Sequence, residues 1–161
     1  MKLKRDYRAE LTDTLDLVVV GAFYGRGRKA GIPSSFLMAV YDPERDVFKT
    51  VCKVGTGFTD EQLAYANKLI EGYRVDRKPA RVESLMKPDF WVEPKVVWEI
   101  TAAEITLSPI HTCAFNVIER NTGLALRFPR FIRFREDKAA EDATTEKEVI
   151  EMYKRQRHAV S

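Results

Sequence analysis

The sequence predicts a mainly β domain: a small five-stranded antiparallel Greek-key barrel, with one helix between its third and fourth strands and another at the C-terminus. Three observations lead there. Apolar, β-branched runs of strand length recur early, divided by turn residues, in "LDLVVVGAFY", "SFLMAVY" and "VFKTVCKV". The apolar period then becomes helical in "TDEQLAYANKLIEGY". Extended character returns in "VVWEITAAEITL" and "LALRFPRFIRF". Three strands, a helix, then more strands is not the alternating order of a doubly wound parallel sheet.

Residues 15–24 read as a buried strand that ends at glycines, and 35–41 as a second. "DPERD" (42–46) makes a turn, with Pro43 pre-setting its dihedral angle. Residues 47–54 return as a third strand. Alternation there puts Phe48, Cys52 and Val54 on one face and Lys49 and Lys53 on the other, most simply a solvated face. Thr59 can cap a helix, with Gln62 closing a capping box. Leu63, Ala66, Leu69, Ile70 and Tyr73 recur at helical spacing, and Gly72 and Pro79 argue for a stop. The polar stretch 74–95, with Pro79, Pro88 and Pro94, reads as a long surface connection. Residues 96–107 resume extended character. Residues 113–118, a turn at 119–123 and residues 124–134 look like a hairpin. Pro129 demotes the middle of that last strand to an edge or an entry kink. "ATTEKEVIEMYKRQR" (143–157) reads as a C-terminal helix: Thr145 and Glu148 form a second capping box, acids open it, and Lys154, Arg155 and Arg157 close it. There is no internal repeat or low-complexity tract.

At 161 residues, one domain is expected. A 45% hydrophobic and 11% aromatic composition is that of a globular chain rather than a disordered one. No apolar run approaches the roughly 20 residues that span a bilayer. The first residues lack the apolar core of a signal peptide, so the expected place is cytoplasmic, on the chromosome, or nuclear, according to host. Cys52 and Cys113 sit far apart in apolar contexts and read as buried thiols of a reducing compartment. No CxxC pair is present, and His111 and His158 are too isolated to build a metal site.

The net charge of +3 is too small to define a polyanionic partner, but its distribution is uneven. Cations gather in three short places. Lys2, Lys4, Arg5 and Arg8 open the chain; "GRGRKAG" brings Arg26, Arg28 and Lys29; and "LALRFPRFIRFREDK" carries Arg127, Arg130, Arg133, Arg135 and Lys138. The glycine segment is not a P-loop, because the GxxxxGK[ST] spacing is absent. Nor is it a dinucleotide fingerprint, since its third glycine comes one residue late and no helix follows. It is either a phosphate-contacting turn or a solvated hairpin tip. Alternation in the last strand sends Ile132 and Phe134 one way and Arg133 and Arg135 the other. Arg135 and Lys138, three apart at the strand's end, suit the phosphates of a leaving group, or else they pair locally with Glu136 and Asp137. No nucleophile stands with an activating base. Lys87-Pro88-Asp89-Phe90 only approaches a Lys-x-Asp-Gly context, lacking its glycine.

The arrangement is the plan of the oligonucleotide-binding barrel, and longer phrases sharpen it. "KLKRDY", "DLVVVGAFYGRGRKAG", "FKTVCKVGTGFTDE", "VWEITAAEITLSP" and "LALRFPRFIRFREDK...EDATT" resemble, in the same order, the C-terminal oligonucleotide-binding domain of archaeal and eukaryotic-type ATP-dependent DNA ligases. The resemblance runs from Lys2 to about Gln156. It implies that residues 1–8 end an adenylation-domain motif, that 9–142 form the barrel, and that 143–161 form a C-terminal helix and tail. It also implies an excised piece that lacks the nucleophilic lysine and cannot adenylate itself.

By matching positions, Lys2 and Lys4 resemble lysines that contact the α-phosphate of ATP. Arg135, Asp137 and Lys138 resemble the final Arg-x-Asp-Lys motif, which orients pyrophosphate. Arg26, Arg28 and Lys29 resemble a DNA-engaging loop, and Arg127 with Phe128 a pair set against the minor groove near a nick. The implied parent reaction seals 5′-phosphate nicks with ATP and Mg²⁺, through enzyme–AMP and DNA–adenylate. The implied partners are nicked duplex DNA, the enzyme's own adenylation and DNA-binding domains, and a sliding clamp through the full-length enzyme. Two other readings stand beside it. One is a stand-alone nucleic-acid-binding barrel. The other is the barrel of an RNA-capping guanylyltransferase, which shares the final motif idea but not "GTGFTDE" or "RFPRFIRFREDK".

Overall fold

β1 (Leu15–Tyr24), β2 (Pro33–Asp42) and β3 (Val47–Val54) form the expected antiparallel meander in a computed structural model that describes residues 13–160. α1 (Asp60–Glu71) follows. Thr59 and Gln62 close its capping box in both directions, and it buries Leu63, Ala66 and Ile70. It ends before Tyr73, which is exposed. β7 (Val97–Thr101) pairs with β1 on the edge away from β2, and β10 (Arg130–Phe134) pairs with β7. The ladder β10-β7-β1-β2-β3 is antiparallel throughout. Its two ends approach where the Phe131 N–H donates to the Thr56 carbonyl, 2.8 Å away, just beyond β3. The sheet therefore curls as an oligonucleotide-binding barrel does.

Besides the five strands of this ladder, the described residues hold five further short strands. Three of the extras lie in 74–95, which is not merely a surface connection. β4 (Arg74–Val75), β5 (Val82–Glu83) and β6 (Phe90–Val92) pair onto β3, β1 and one another. Val82, Phe90, Trp91 and Val92 are buried there. The run 96–107 breaks at Ala102 into β7 and β8 (Glu104–Ser108). β9 (Gly123–Arg127) pairs with β8, not with 113–118. That stretch is turn, because Ala114 and Asn116 take positive φ angles of 54° and 66°. Cys113 instead bridges two strands, its N–H donating to Thr50 O (3.0 Å) and its carbonyl accepting from the Leu124 N–H (2.8 Å). Pro129 acts as the entry kink into β10.

Two apolar layers result. Inside the curl, Trp98 meets Phe36, Phe58, Phe131 and Phe134 at centroid distances of 4.9 to 5.7 Å. Outside it, Val18, Leu37 and Phe48 pack with Val82 and Trp91 of the 74–95 excursion. A bulge divides β3 between the layers. Met38 pairs with Cys52 but Ala39 with Thr50, so Val51 is an extra residue. Phe48 consequently faces the outer layer while Cys52 and Val54 face the inner one, which corrects the single face expected for all three. A second slip, between Phe131 and Arg133, turns Phe134 inward and leaves Ile132 exposed rather than beside it.

Lys49 is not solvated either. Its Nζ lies 3.2 Å from Asp42 and 3.0 Å from Glu146, all three side chains being at most 15% exposed. Burial alone would lower the Lys49 pKa, but the contacts of Glu146 and Asp42 outweigh it and raise it. Glu146 also accepts from the Ala114 N–H (2.6 Å), so this triad ties α2 (Glu146–Val160) to β3 and the 112–114 bridge. Thr145 and Glu148 cap α2 as expected. Both cysteines are free and buried, and burial pushes their thiols far up.

Candidate functional site

Arg135 leaves the end of β10 with its backbone still in the sheet, its N–H donating to Val97 O at 2.9 Å. A turn follows, closed by the Lys138 N–H on Arg135 O (3.2 Å), which brings both cations to one side. There they converge on Asp16, near the start of β1. Arg135 Nη1 lies 3.2 Å from Asp16 Oδ1, and Lys138 Nζ 2.8 Å from Oδ2. The other side of the guanidinium grips Asp137, with Nε on Oδ1 at 3.1 Å and Nη2 on Oδ2 at 3.0 Å. This two-point contact holds the Asp137 carboxyl at about 2, so it is ionised across the working pH range.

The structure thus joins Arg135, Asp137 and Lys138 as the sequence suggests and adds Asp16. Asp16 is itself fixed, its N–H donating to Thr144 Oγ1 and its carbonyl accepting from the Thr144 N–H, both at 2.8 Å. The one signal for it is an acid inside an otherwise apolar strand, "LDLVVV". Glu136 takes no part, since it accepts from the Tyr65 hydroxyl at 2.9 Å. Two cations balanced by two carboxylates make a neutral cluster. Among the described residues, Lys138 Nζ has Asp16 as its side-chain partner, while the Arg135 guanidinium is shared between Asp16 and Asp137.

The second constellation lies at the other ends of the same strands. Beyond β1, Gly27–Lys29 form one 3-10 turn, with Gly27 and Gly31 at φ +61° and +81°. Arg26 and Arg28 are exposed. Before β10, Phe128 stands 68% exposed, with the Arg127 guanidinium 5.0 Å from its ring centre. Arg127 also reaches Glu104 at 3.1 Å. The end of β1, the start of β2 and the end of β3 meet through the pairs Tyr24–Pro33 and Phe36–Val54, and Thr56 joins them to Pro129. The glycine loop and Phe128 are therefore gathered on one side of the curl. Phe128 precedes β10 and Arg135 follows it, so the two flank a five-residue strand that spans about 13 Å.

Lys2 and Lys4 lie outside the described residues. Among the described residues no group of His, Cys, Asp or Glu is placed to hold a metal ion. His111 is buried and neutral, with Nδ1 3.1 Å from Thr50 Oγ1, and burial lowers its pKa to about 4.

The curled barrel thus carries a cluster of two cations and two carboxylates at one end of β10 and a cationic, aromatic edge at the other. Residues 29–138 match the family described as the ATP dependent DNA ligase C terminal region, and the chain belongs to that family. It is 61% identical over 156 residues to the DNA ligase of Aeropyrum pernix and 60% identical over 156 residues to that of Hyperthermus butylicus. Each match covers 97% of this chain but 26% of the relative, so the chain spans about a quarter of their length. The fold is shared with the ligase domain of M. tuberculosis LigD, at a TM-score of 0.60 and 22% identity over 82% of this chain and 38% of that one. It is shared too with a mycobacterial DNA ligase D complexed with ATP and MES, at a TM-score of 0.55 and 22% identity over 83% of this chain and 38% of that one. The family is that of the ligases rather than of the capping guanylyltransferases.

Proposed function

We propose that this chain is the barrel domain of an ATP-dependent DNA ligase and serves two steps with two sides. The separation of the two constellations along β10 carries this reading. Arg135 and Lys138, aligned by Asp16 and Asp137, neutralise charge developing on pyrophosphate as the enzyme's lysine, elsewhere in the ligase, takes up AMP. Lys2 and Lys4 contact the α-phosphate of ATP in the same step. Arg26, Arg28 and Lys29 contact DNA phosphates, while Arg127 and Phe128 enter the minor groove beside the nick. One rigid barrel cannot present both sides to one active centre at once, so the domain rotates between the steps. The paired cations suit the phosphates of ATP, and the cofactors of the full-length enzyme are ATP and Mg²⁺. Residues 1–8 belong to the adenylation motif, 9–142 to the barrel and 143–161 to the C-terminal helix and tail. The partners are nicked duplex DNA, the enzyme's other domains and, through the full enzyme, a sliding clamp. The place of action is cytoplasmic, on the chromosome, or nuclear, according to host.

Nick sealing in trans tests the proposal. The chain alone with labelled ATP and Mg²⁺ is expected to give no labelled band on a denaturing gel. A relative's DNA-binding and adenylation domains without their barrel are expected to seal nicks only when the chain is added. A labelled band from the chain alone, or no stimulation of sealing, would contradict the proposal. A stand-alone binding barrel would bind DNA yet give no stimulation.

The glycine loop makes a separate expectation. Replacing Arg26, Arg28 and Lys29 by alanine weakens binding to all duplex sequences alike. It reduces the slope of log affinity against log salt by roughly 1 for each DNA phosphate that no longer meets a cation. An unchanged slope would make the loop a solvated tip.

A further inference from the structure

Phe128 is held in a posture that its local sequence opposes. Its φ of 55° is left-handed, a conformation rare for a bulky residue. The proline that follows favours an extended Phe128 instead. The ring nonetheless projects into solvent, 68% exposed, so burial of the ring is not what fixes it.

The constraint comes from both flanks. Upstream, the Arg127 carbonyl accepts from the Ala103 N–H at 2.9 Å, anchoring that side to the turn between β7 and β8. Downstream, Thr56 makes two hydrogen bonds. Its Oγ1 donates to Pro129 O at 3.0 Å, and its carbonyl accepts from the Phe131 N–H at 2.8 Å. Gly57 permits this approach. It has φ +96°, and a Cβ there would lie 2.5 Å from Phe131 O and 2.7 Å from Phe131 N. Neither bond of Thr56 reaches the Arg135 cluster or the glycine loop.

We infer that Thr56 is a positioning residue for DNA engagement, holding the Phe128–Pro129 corner so that the Phe128 ring projects; this rests on the reading of Phe128 as the nick-side contact. The hydroxyl bond is exposed to water, so its loss shifts the corner's population by a modest factor, about fivefold for one net hydrogen bond. A shift of that kind acts on the step that uses Phe128 and on no other.

The test uses a full-length ligase carrying this domain, with Thr56→Val, Thr56→Ser, Phe128→Ala and the Thr56→Val/Phe128→Ala double variant. Single-turnover sealing of a nick already bearing 5′-adenylate is measured beside enzyme–AMP formation. Thr56→Val is expected to slow sealing about fivefold and leave enzyme–AMP formation unchanged. Thr56→Ser restores sealing, and in the Phe128→Ala background Thr56→Val adds nothing, since both act through one ring. The inference is overturned if Phe128→Ala slows sealing while Thr56→Val does not. It is also overturned if Thr56→Val slows both steps alike, costs the same factor without the ring, or is not rescued by serine. If Phe128→Ala itself leaves sealing intact, the reading of Phe128 fails and the inference falls with it.

Discussion

Lys49→Ala is expected to destabilise the domain by about 3–5 kcal/mol, the cost of breaking a buried ion pair from one side. Lys49 holds Asp42 and Glu146 together at 3.2 and 3.0 Å, where their side chains are only 10% and 15% exposed. Removing it leaves two carboxylates short of solvent and short of a cation. Glu146 also secures the Ala114 N–H, so the damage reaches the 112–114 bridge. Lys53, two turns of the pleat away, is the natural control. It is exposed, with its Nζ 4.0 Å from the Phe23 ring centre, a contact worth about 0.5–1 kcal/mol. Urea denaturation of both variants decides the matter. A large fall in midpoint for Lys49→Ala and a small one for Lys53→Ala is the expected pattern. Equal, small falls would mean that the triad is solvated after all.

Arg135→Ala and Lys138→Ala carry the largest expected functional effect. In a full-length ligase carrying this domain, each is expected to raise the barrier to enzyme–AMP formation by about 2–4 kcal/mol, by analogy with deleting one donor to a developing oxyanion. That is roughly 30- to 1,000-fold in rate. Sealing of a pre-adenylated nick bypasses this step and changes little. Arg135→Lys should not rescue, because a lysine cannot reproduce the fork that meets Asp137 at two points while reaching Asp16. Thermal melts of each variant keep the interpretation clean, since Asp16 loses one of its two cations in either case.

The parts of this domain legible in its sequence are those that local chemistry decides. Thr59 with Gln62, and Thr145 with Glu148, satisfy helix-end donors within four residues, so both helices announce their starts. The meander of β1 to β3 follows from strand-length apolar runs and the Pro43 turn. Events at one residue were not legible. The extra Val51 reverses which layer Phe48 joins, and nothing in "VFKTVCKV" marks it, because the alternation there reads as one unbroken strand. The hairpin expected over 113–134 is absent for a related reason. Apolar "CAFNVI" has strand composition, but Ala114 and Asn116 turn left-handed to set Cys113 between β3 and β9. The candidate site divides in the same way. Arg135, Asp137 and Lys138 lie within four residues and could be singled out together. Asp16 is 119 residues from Arg135 and Thr56 is 73 from Pro129, so only the closed sheet brings them in.

The claim that one barrel serves two steps with two sides is tested most directly by a crossed comparison in a full-length ligase carrying this domain. Arg135→Ala and Phe128→Ala are each measured for single-turnover enzyme–AMP formation and for sealing of a pre-adenylated nick. The account predicts that Arg135→Ala slows the first and spares the second, while Phe128→Ala slows the second and spares the first. Two folded variants that each slow both steps to the same extent would contradict it.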